Sequence, residues 1–471
     1  MHRAAARLFK HELKFPEILK ALRVCSVALP ALLLLLLIYW GLGLVDPDDR
    51  VRLPILAVYA LGTTAHTYSV LLFSHQVAAG LAAGAFFLLA SVRRGGPAWH
   101  AHAAGLLSGY AVLSEYPLLI AALILTAYVV ATARRRPAAI ALFALGALVP
   151  AGLLLLYNKA AFGGYLQLGY AHIANPHFAQ FHKEGALGVS TPNLAAFAGS
   201  FFSSSRGYFP FQPWLLLAFP GLYLLMKRRE LRAEGIAVIA ALIGYTYFIS
   251  SFSYWQAGGT VSQRHLTALT PFLLPPIAVF ARSLKSPDAA PLRVLYATAG
   301  LFSIAVVTAC TVPFPFFSTQ YPNPLYELAL RLWRLGLVPY SVGRTVGLPG
   351  LWAALPYALA VAAVAAFFLR HAVAQAASAW GRRAELLAAV ALVAAVLGAY
   401  SLVERDRNLE GKVNDLWGIV VNYEPRDGIC DLETRRTDAG GYAHAPTDRT
   451  AACEALLGRT GEALDVFRGR R

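Results

Sequence analysis

Residues Ala103–Ala133 read AAGLLSGYAVLSEYPLLIAALILTAYVVATA, with Arg93-Arg94 upstream and Arg134-Arg135-Arg136 directly downstream. Lys and Arg collect on the cytoplasmic side of a bilayer, so both basic flanks face inward. Two short helices must then lie between them, and the break at Ser114-Glu115-Tyr116-Pro117 becomes the outer turn. Glu115 is the only acidic residue inside the long apolar runs of the chain. An ionisable group at that depth is expensive and is by default a functional candidate. The plain alternative is a polar turn wetted by lipid headgroups.

Working outward, the same pattern recurs. The chain has 471 residues, 58% hydrophobic and only 14% charged, with mean hydropathy +0.54. Soluble domains carry about 25% charged residues, so the composition specifies an all-α, polytopic integral membrane protein. Apolar runs of spanning length fall at 24–45, 54–72, 75–92, 103–133 (two short spans), 138–157, 213–226, 235–252, 266–281, 293–312, 350–369 and 386–403. They predict about twelve transmembrane helices within a 24–403 membrane domain. Basic loops at Arg93-Arg94, Arg134–Arg136, Lys227–Arg232, Arg282–Lys285 and Arg370–Arg383 alternate with aromatic, Gly- and Pro-rich loops at 158–212, 253–265 and 313–349. This ladder places those three loops outside.

The net charge of +16 suggests nucleic acid only until its source is located. Residues 404–471 form a polar tail holding 13 of the 25 acidic residues and 11 of the 41 bases. The remaining bases sit mostly in short loops, where they orient spans and meet anionic membrane lipids; no nucleic-acid partner is implied. The ladder places the tail outside too, where Cys430 and Cys453 could form a disulfide; two free thiols is the alternative. Cys25 and Cys310 lie in apolar runs and read as core thiols.

One conflict remains. The ladder puts Asp46–Arg52 inside and the start of the chain outside, although residues 1–23 carry six bases. Either 54–72 is re-entrant, or an earlier helix is missing and 1–23 is an extracytoplasmic juxtamembrane segment. The next run, Val24–Val45, is long enough to span and reads as a transmembrane helix, not a cleavable signal.

The outer loops hold the chemistry. Ser203-Ser204-Ser205-Arg206-Gly207-Tyr208 ends one, and Tyr254-Trp255-Gln256-Ala257-Gly258-Gly259 followed by Arg264-His265 ends another. Each supplies one Arg on the face where the charge rule disfavours it. A guanidinium fork suits phosphate, Gly allows close backbone approach, and Tyr208, Tyr254 and Trp255 offer stacking surfaces for a sugar. Snorkelling of both Arg residues to headgroups is the competing explanation. Among external acids, Glu184 reads as a solvated turn and Glu327 as a helix-start charge, leaving Glu115 the most constrained. His75 with Glu115 could bind a divalent metal, although two ligands are a weak signal and a His at a helix end often just bonds a neighbouring carbonyl.

The order of these segments resembles bacterial membrane glycosyltransferases of the GT-C superfamily, relatives of protein O-mannosyltransferases and aminoarabinose transferases. It is carried by Gly62-Thr63, Tyr68-Ser69, Phe73-Ser74-His75, Glu115-Tyr116-Pro117, Tyr157-Asn158, Phe162-Gly163, Ser205–Phe209, Gly258-Gly259, Arg264-His265 and Asn323–Glu327, across about 54–369. The resemblance implies an enzyme of a bacterial inner membrane, with its site facing the periplasm or cell exterior. It would transfer sugar from a polyprenyl-phosphate donor; the acceptor stays open. Arg206 and Arg264 would meet the donor phosphate, with His75 and Glu115 lining the cavity. The family also implies an acidic pair after a first helix, acting as general base; here Val24–His75 aligns with the second and third helices, so that base is expected to be missing. Its loss would slow the reaction by roughly 10²–10⁴-fold, as in a late-annotated start or a truncated, inactive paralogue. The alternative to an enzyme is a non-enzymatic lipid-linked-saccharide transporter or membrane scaffold.

Overall fold

Backbone polar groups in a hydrocarbon layer must be satisfied within their own segment, and the described residues meet this mainly as helix: 77% helical, with no strands. The computed structural model describes residues 21–316, 321–334, 342–348, 350–374 and 378–403, with Ile18 and Ala376. The 404–471 tail, Cys430 and Cys453 included, lies outside the described residues.

Among the described residues seven helices are long and apolar enough to cross a membrane: Ala21–Leu42, His75–Arg93, Pro137–Phe162, Arg229–Ser251, Ala290–Thr311, Gly350–Ala372 and Ala379–Tyr400. Two of them are central. His75–Arg93 is 83% and Ala290–Thr311 72% buried, whereas the first, third and last two present most of their surface outward. His75–Arg93 can sit centrally because it is rich in Ala and Gly. It packs against Ala21–Leu42 and Trp99–Ser114, while Ala290–Thr311 packs against Asp49–Gly62 and Ala379–Tyr400. Close approach is most severe between Trp99–Ser114 and Pro137–Phe162. A Cβ at Gly105 would lie 2.0 Å from the Phe143 carbonyl oxygen, and one at Gly146 2.2 Å from that of His102. Small residues at such a contact let two backbones touch where lipid offers no hydrophobic drive.

Several expected spans are broken. The 54–72 run is two helices, Asp49–Gly62 and Thr64–Val70, interrupted at Thr63 in an extended conformation. Side chains repair the break: Thr63 Oγ1 donates to Tyr59 O at 2.6 Å, and Thr64 N donates to Gln212 Oε1 at 2.9 Å. The 266–281 run resolves into two short 3-10 turns and the helix Leu274–Ser283. Proline accounts for this, with Pro271 opening one turn and Pro275 and Pro276 the helix, since Pro fits a first turn and no interior. Within the 158–212 loop, the preceding helix continues to Phe162, and Pro176–Lys183 and Leu194–Phe202 are helical.

Several ion pairs gather at one end. Asp48 accepts from Lys285 Nζ at 2.5 Å, Arg282 lies 3.5 Å from Asp46, and the bond from Lys285 holds the Asp48 carboxyl below its ordinary pKa. Glu234 receives Arg93 at 2.9 Å, Arg94 at 3.2 Å and the Tyr128 hydroxyl at 3.1 Å. Arg293 grips Glu385 through two bonds of 2.9 and 2.7 Å and donates to Ser286 O. The Asp46–Arg52 turn therefore lies at the same end as Arg282 and Lys285, whereas Tyr68 bonds Thr260 at 2.9 Å in an aromatic loop. Residues 49–70 run from one end to the other, which corrects the re-entrant reading of 54–72. The opening turn Val24–Ala28 packs on Thr64–Val70, at the end away from the basic loops.

Arg293 is 1% and Glu385 9% exposed at the side chain. Removing one partner of such a pair strands a charge, at about 3–5 kcal/mol, whereas replacing both by apolar groups is often nearly neutral. Unfolding of the detergent-solubilised chain should show Glu385→Leu destabilised by that amount and the Glu385→Leu/Arg293→Leu double variant restored to within about 1–2 kcal/mol of the parent. Equal loss in both would remove the pair from its structural role.

Candidate functional site

Glu115 terminates the helix Trp99–Ser114 in an extended conformation, and the 3-10 turn Tyr116–Leu118 redirects the chain into Leu119–Thr132. Pro117 opens that turn where no amide donor is needed. His75 begins the helix His75–Arg93. Its Nδ1 is in direct contact with Glu115 Oε1, and Ser74 Oγ donates to the same oxygen at 3.0 Å. The expected helix-end carbonyl partner is thus replaced by a carboxylate from a separate turn. The two side chains are 11% and 15% exposed, so the pair is shielded without being sealed.

Aromatic rings enclose the pair. His75 stacks on Phe73 at 5.6 Å and meets Tyr68 and His265 edge-on at 5.1 and 6.0 Å. The Arg264 guanidinium lies 5.9 Å from the centre of the Phe73 ring. Burial, with Arg264 and His75 adding to it, holds the His265 imidazole well below its ordinary pKa, and its Nε2 is buried without a hydrogen-bond partner. His265 is therefore a neutral ring beside the Arg264 cation.

Arg206 is 2% exposed, and one terminal nitrogen donates to the carbonyls of Gln256 and Gly258, the latter at 2.6 Å. Its other terminal nitrogen, Nη2, is buried with no partner, as is Arg264 Nε. Neither guanidinium is salt-bridged among the described residues. A Cβ on Gly258 would fall 3.7 Å from Arg264 Nη1, so both arginines converge on this one glycine. Desolvation, with the Arg264 charge also contributing, lowers Arg206 to about 10, which leaves it charged at neutral pH. Two adjoining cations lacking a carboxylate, each with a buried unpaired N–H, form an anion site in chemical terms.

The loop that anchors Arg206 is bent sharply. Ala257 and Ser262 hold φ of +61° and +59°, and Gly258 +70°. Side chains rarely adopt this region, and it concentrates at functional loops.

Part of the 158–212 loop packs as a cap on the Glu115 turn. Residues 163–193 return to pair with 250–253: Ser190 N donates to Ser251 O and Ser253 N to Gly188 O, both at 2.8 Å. Glu184, expected as a solvated turn, accepts from Ser253 Oγ at 2.6 Å and so fastens the cap. Tyr170 stacks on His182 at 4.3 Å and meets Tyr116 edge-on at 5.2 Å. Burial raises the Tyr170 phenol to about 12, with the Glu115 carboxylate adding to that, so it remains a donor beside Glu115.

The other expected residues are distributed unevenly. Tyr254 belongs to the cap contact, stacked on Phe181 at 4.8 Å. Trp255 is packed over Gly199, where a Cβ would come within 2.3 Å of the indole, and its carbonyl accepts from Gln263. Tyr208 is fully buried with its hydroxyl on Thr270 at 2.8 Å, in the core and away from any opening. Glu327 is buried and accepts from Asn323 N at 2.7 Å, as a helix-start carboxylate does. The sequence did not single out Tyr170, Phe73 or the Gln256 and Gly258 carbonyls; a Gly-Gly turn beside an Arg was the signal for the last. Among the described residues no group of three or more His, Cys, Asp or Glu assembles. A divalent metal would have only His75 and Glu115 to hold it.

Because Gly258 needs its left-handed backbone and Ala257 tolerates one, opposite substitutions should diverge. Gly258→Ala is expected to lower stability by about 1–2 kcal/mol, and Ala257→Gly to leave it equal or raise it by less than about 1 kcal/mol. Thermal unfolding of both variants checks this, and a shared loss would contradict the strained turn. Comparison of the chain with protein-family models, curated proteins and solved structures found no match.

Proposed function

We propose that the protein is a membrane glycosyltransferase of GT-C type that takes sugar from a polyprenyl-phosphate donor at the extracytoplasmic face of a bacterial inner membrane. The observation that carries the reading is the pair Arg206 and Arg264, two carboxylate-free guanidinium groups beside the His75–Glu115 contact. They lie at the end opposite the basic loops. By the charge rule the basic end is cytosolic, and a lipid-borne phosphate would reach the arginines from the outer leaflet. Shorter or broken helical segments at 49–70, 99–114, 116–132, 213–227 and 264–283 alternate with the seven long helices and favour a twelve-pass chain.

In this reading the acceptor hydroxyl oxygen bonds to the anomeric carbon as that carbon's bond to the phosphate oxygen breaks. The departing electron pair stays on the phosphate, where Arg206 and Arg264 neutralise it. The hydroxyl proton passes to Glu115, which His75 and Ser74 orient. Glu115 thereby fills the role of the acidic pair that the resemblance left vacant. Neutral His265 and the Tyr170 phenol stand ready to hydrogen-bond sugar hydroxyls.

The Arg264 guanidinium makes no hydrogen bond among the described residues, so its removal tests binding without disturbing an anchor. Arg264→Ala should weaken binding of a polyprenyl-phosphate sugar by about 1.5–3 kcal/mol, and Arg206→Ala by at least as much. Glu115→Gln should leave donor affinity within about threefold and cut kcat by roughly 10²–10⁴. Unchanged donor binding in both arginine variants would end the assignment.

A further inference from the structure

Tyr68 touches both halves of the site, the arginine-bearing turn through its hydroxyl and the His75–Glu115 contact through its ring. It is fully buried in the short helix Thr64–Val70, and its hydroxyl donates to Thr260 Oγ1 at 2.9 Å and reaches Val261 O at 3.3 Å. Those two residues belong to the turn whose Gln256 and Gly258 carbonyls hold Arg206. The Tyr68 ring meets His75 edge-on at 5.1 Å and Phe73 edge-on at 6.0 Å, and Phe73 is the ring that Arg264 overhangs. We propose that, within the sugar-transfer reading given above, Tyr68 is a positioning residue: it sets the turn that grips Arg206 at a fixed distance from the His75–Glu115 contact.

The turn needs support from outside because its backbone is strained. Ala257, Gly258 and Ser262 all lie at positive φ, a conformation that persists only where the surroundings over-determine it. On one side Gln263 Nε2 donates to Trp255 O at 2.6 Å and to Ser200 Oγ at 3.1 Å; on another, Val261 N donates to Pro315 O at 3.3 Å. Tyr68 supplies the tie toward Glu115. Its own mount is firm. Neighbouring Thr67 shares a hydroxyl–hydroxyl bond of 2.7 Å with Thr311 in the central helix Ala290–Thr311, and Ser69 Oγ donates to Ala65 O at 2.6 Å. The charges of Arg264, Glu115 and Arg206 all act on the phenol, which places its hydroxyl among the groups it aligns. In a concerted displacement the attacking hydroxyl and the departing phosphate lie on opposite sides of the anomeric carbon. The spacing between base and cations is then critical, and a misplacement of about 1 Å can cost roughly 10²-fold.

The test uses the full-length protein in phosphatidylcholine nanodiscs, with undecaprenyl phosphate as the probe. Kd, Tm and amide hydrogen exchange are read for the parent and for Tyr68→Phe, which removes the hydroxyl and keeps the ring. Tyr128→Phe is the control, since it deletes a hydroxyl bonded to Glu234 at the other end of the bundle. Tyr68→Phe should raise Kd about fivefold and speed exchange at 256–262, with Tm no lower than that of Tyr128→Phe, whose Kd should match the parent's. A positioning role acts through Arg206, so adding Tyr68→Phe to Arg206→Ala should change Kd by less than about twofold. The assignment of Tyr68 is overturned, and the sugar-transfer reading left standing, if Tyr68→Phe keeps the parent's Kd or the parent's exchange, or costs the same factor with Arg206 absent as with it present. A parent that does not bind the probe overturns the reading and the role of Tyr68 together. Should Tyr68→Phe not fold, Thr260→Val removes the acceptor instead. It should raise Kd by about twofold to threefold, because Val261 O still receives the hydroxyl, and an unchanged Kd there overturns the assignment.

Discussion

A charge placed in an apolar layer must be neutralised on the spot or moved to the edge, and that constraint organises the whole chain. Glu234 is buried only because Arg93, Arg94 and Tyr128 surround it, and Arg293 only because Glu385 and two carbonyls receive it. These clusters tie consecutive loops together at one end of the bundle. With that end fixed by ion pairs, the central helices His75–Arg93 and Ala290–Thr311 project their other ends into the aromatic loops. Polarity within the layer follows the same logic: the break at Thr63 persists because Gln212 and the Thr63 hydroxyl satisfy the freed backbone.

How much of this was legible in the sequence depends on the kind of signal. Helical class, and the turn at Ser114–Pro117, follow from hydropathy and proline, which are local. The partnering of Glu115 with His75 is not local, because forty residues of helix and loop separate them, and only their placement at two outer turns hinted at it. Tyr208 shows the limit. Within Tyr208–Phe211 three of the four residues are aromatic, so the sequence cannot say which ring faces a cavity and which fills the core. Glu184 is exposed in a turn, as the sequence suggested, but its bond to Ser253 was not legible, because that partner lies in another loop and no periodicity links them. Conversely, the ladder of basic loops placed Asp46–Arg52 beside Arg282 and Lys285, because like-sided charge is a global rule that survives ignorance of packing.

The outer loops repay attention for what they lack. Arg206 sits in surroundings as confined as those of Arg293, with half-buried Arg264 beside it, yet among the described residues no acid pairs with either. Arg206 is held instead by two carbonyls on a turn whose Ala257 and Gly258 adopt positive φ. A fold that needed only to bury these cations would pair them, as it does elsewhere. Backbone strain of about 1–3 kcal/mol per residue, added to unpaired N–H groups, is what the proposed phosphate donor would offset by supplying the missing anion. Under the same proposal, the segment latched by Ser253 and Glu184 would raise the worth of each charge–phosphate contact by limiting water there. Lipid headgroups alone would not require such a construction: a snorkelling Arg needs a flexible stem and open water, and Arg206 has neither.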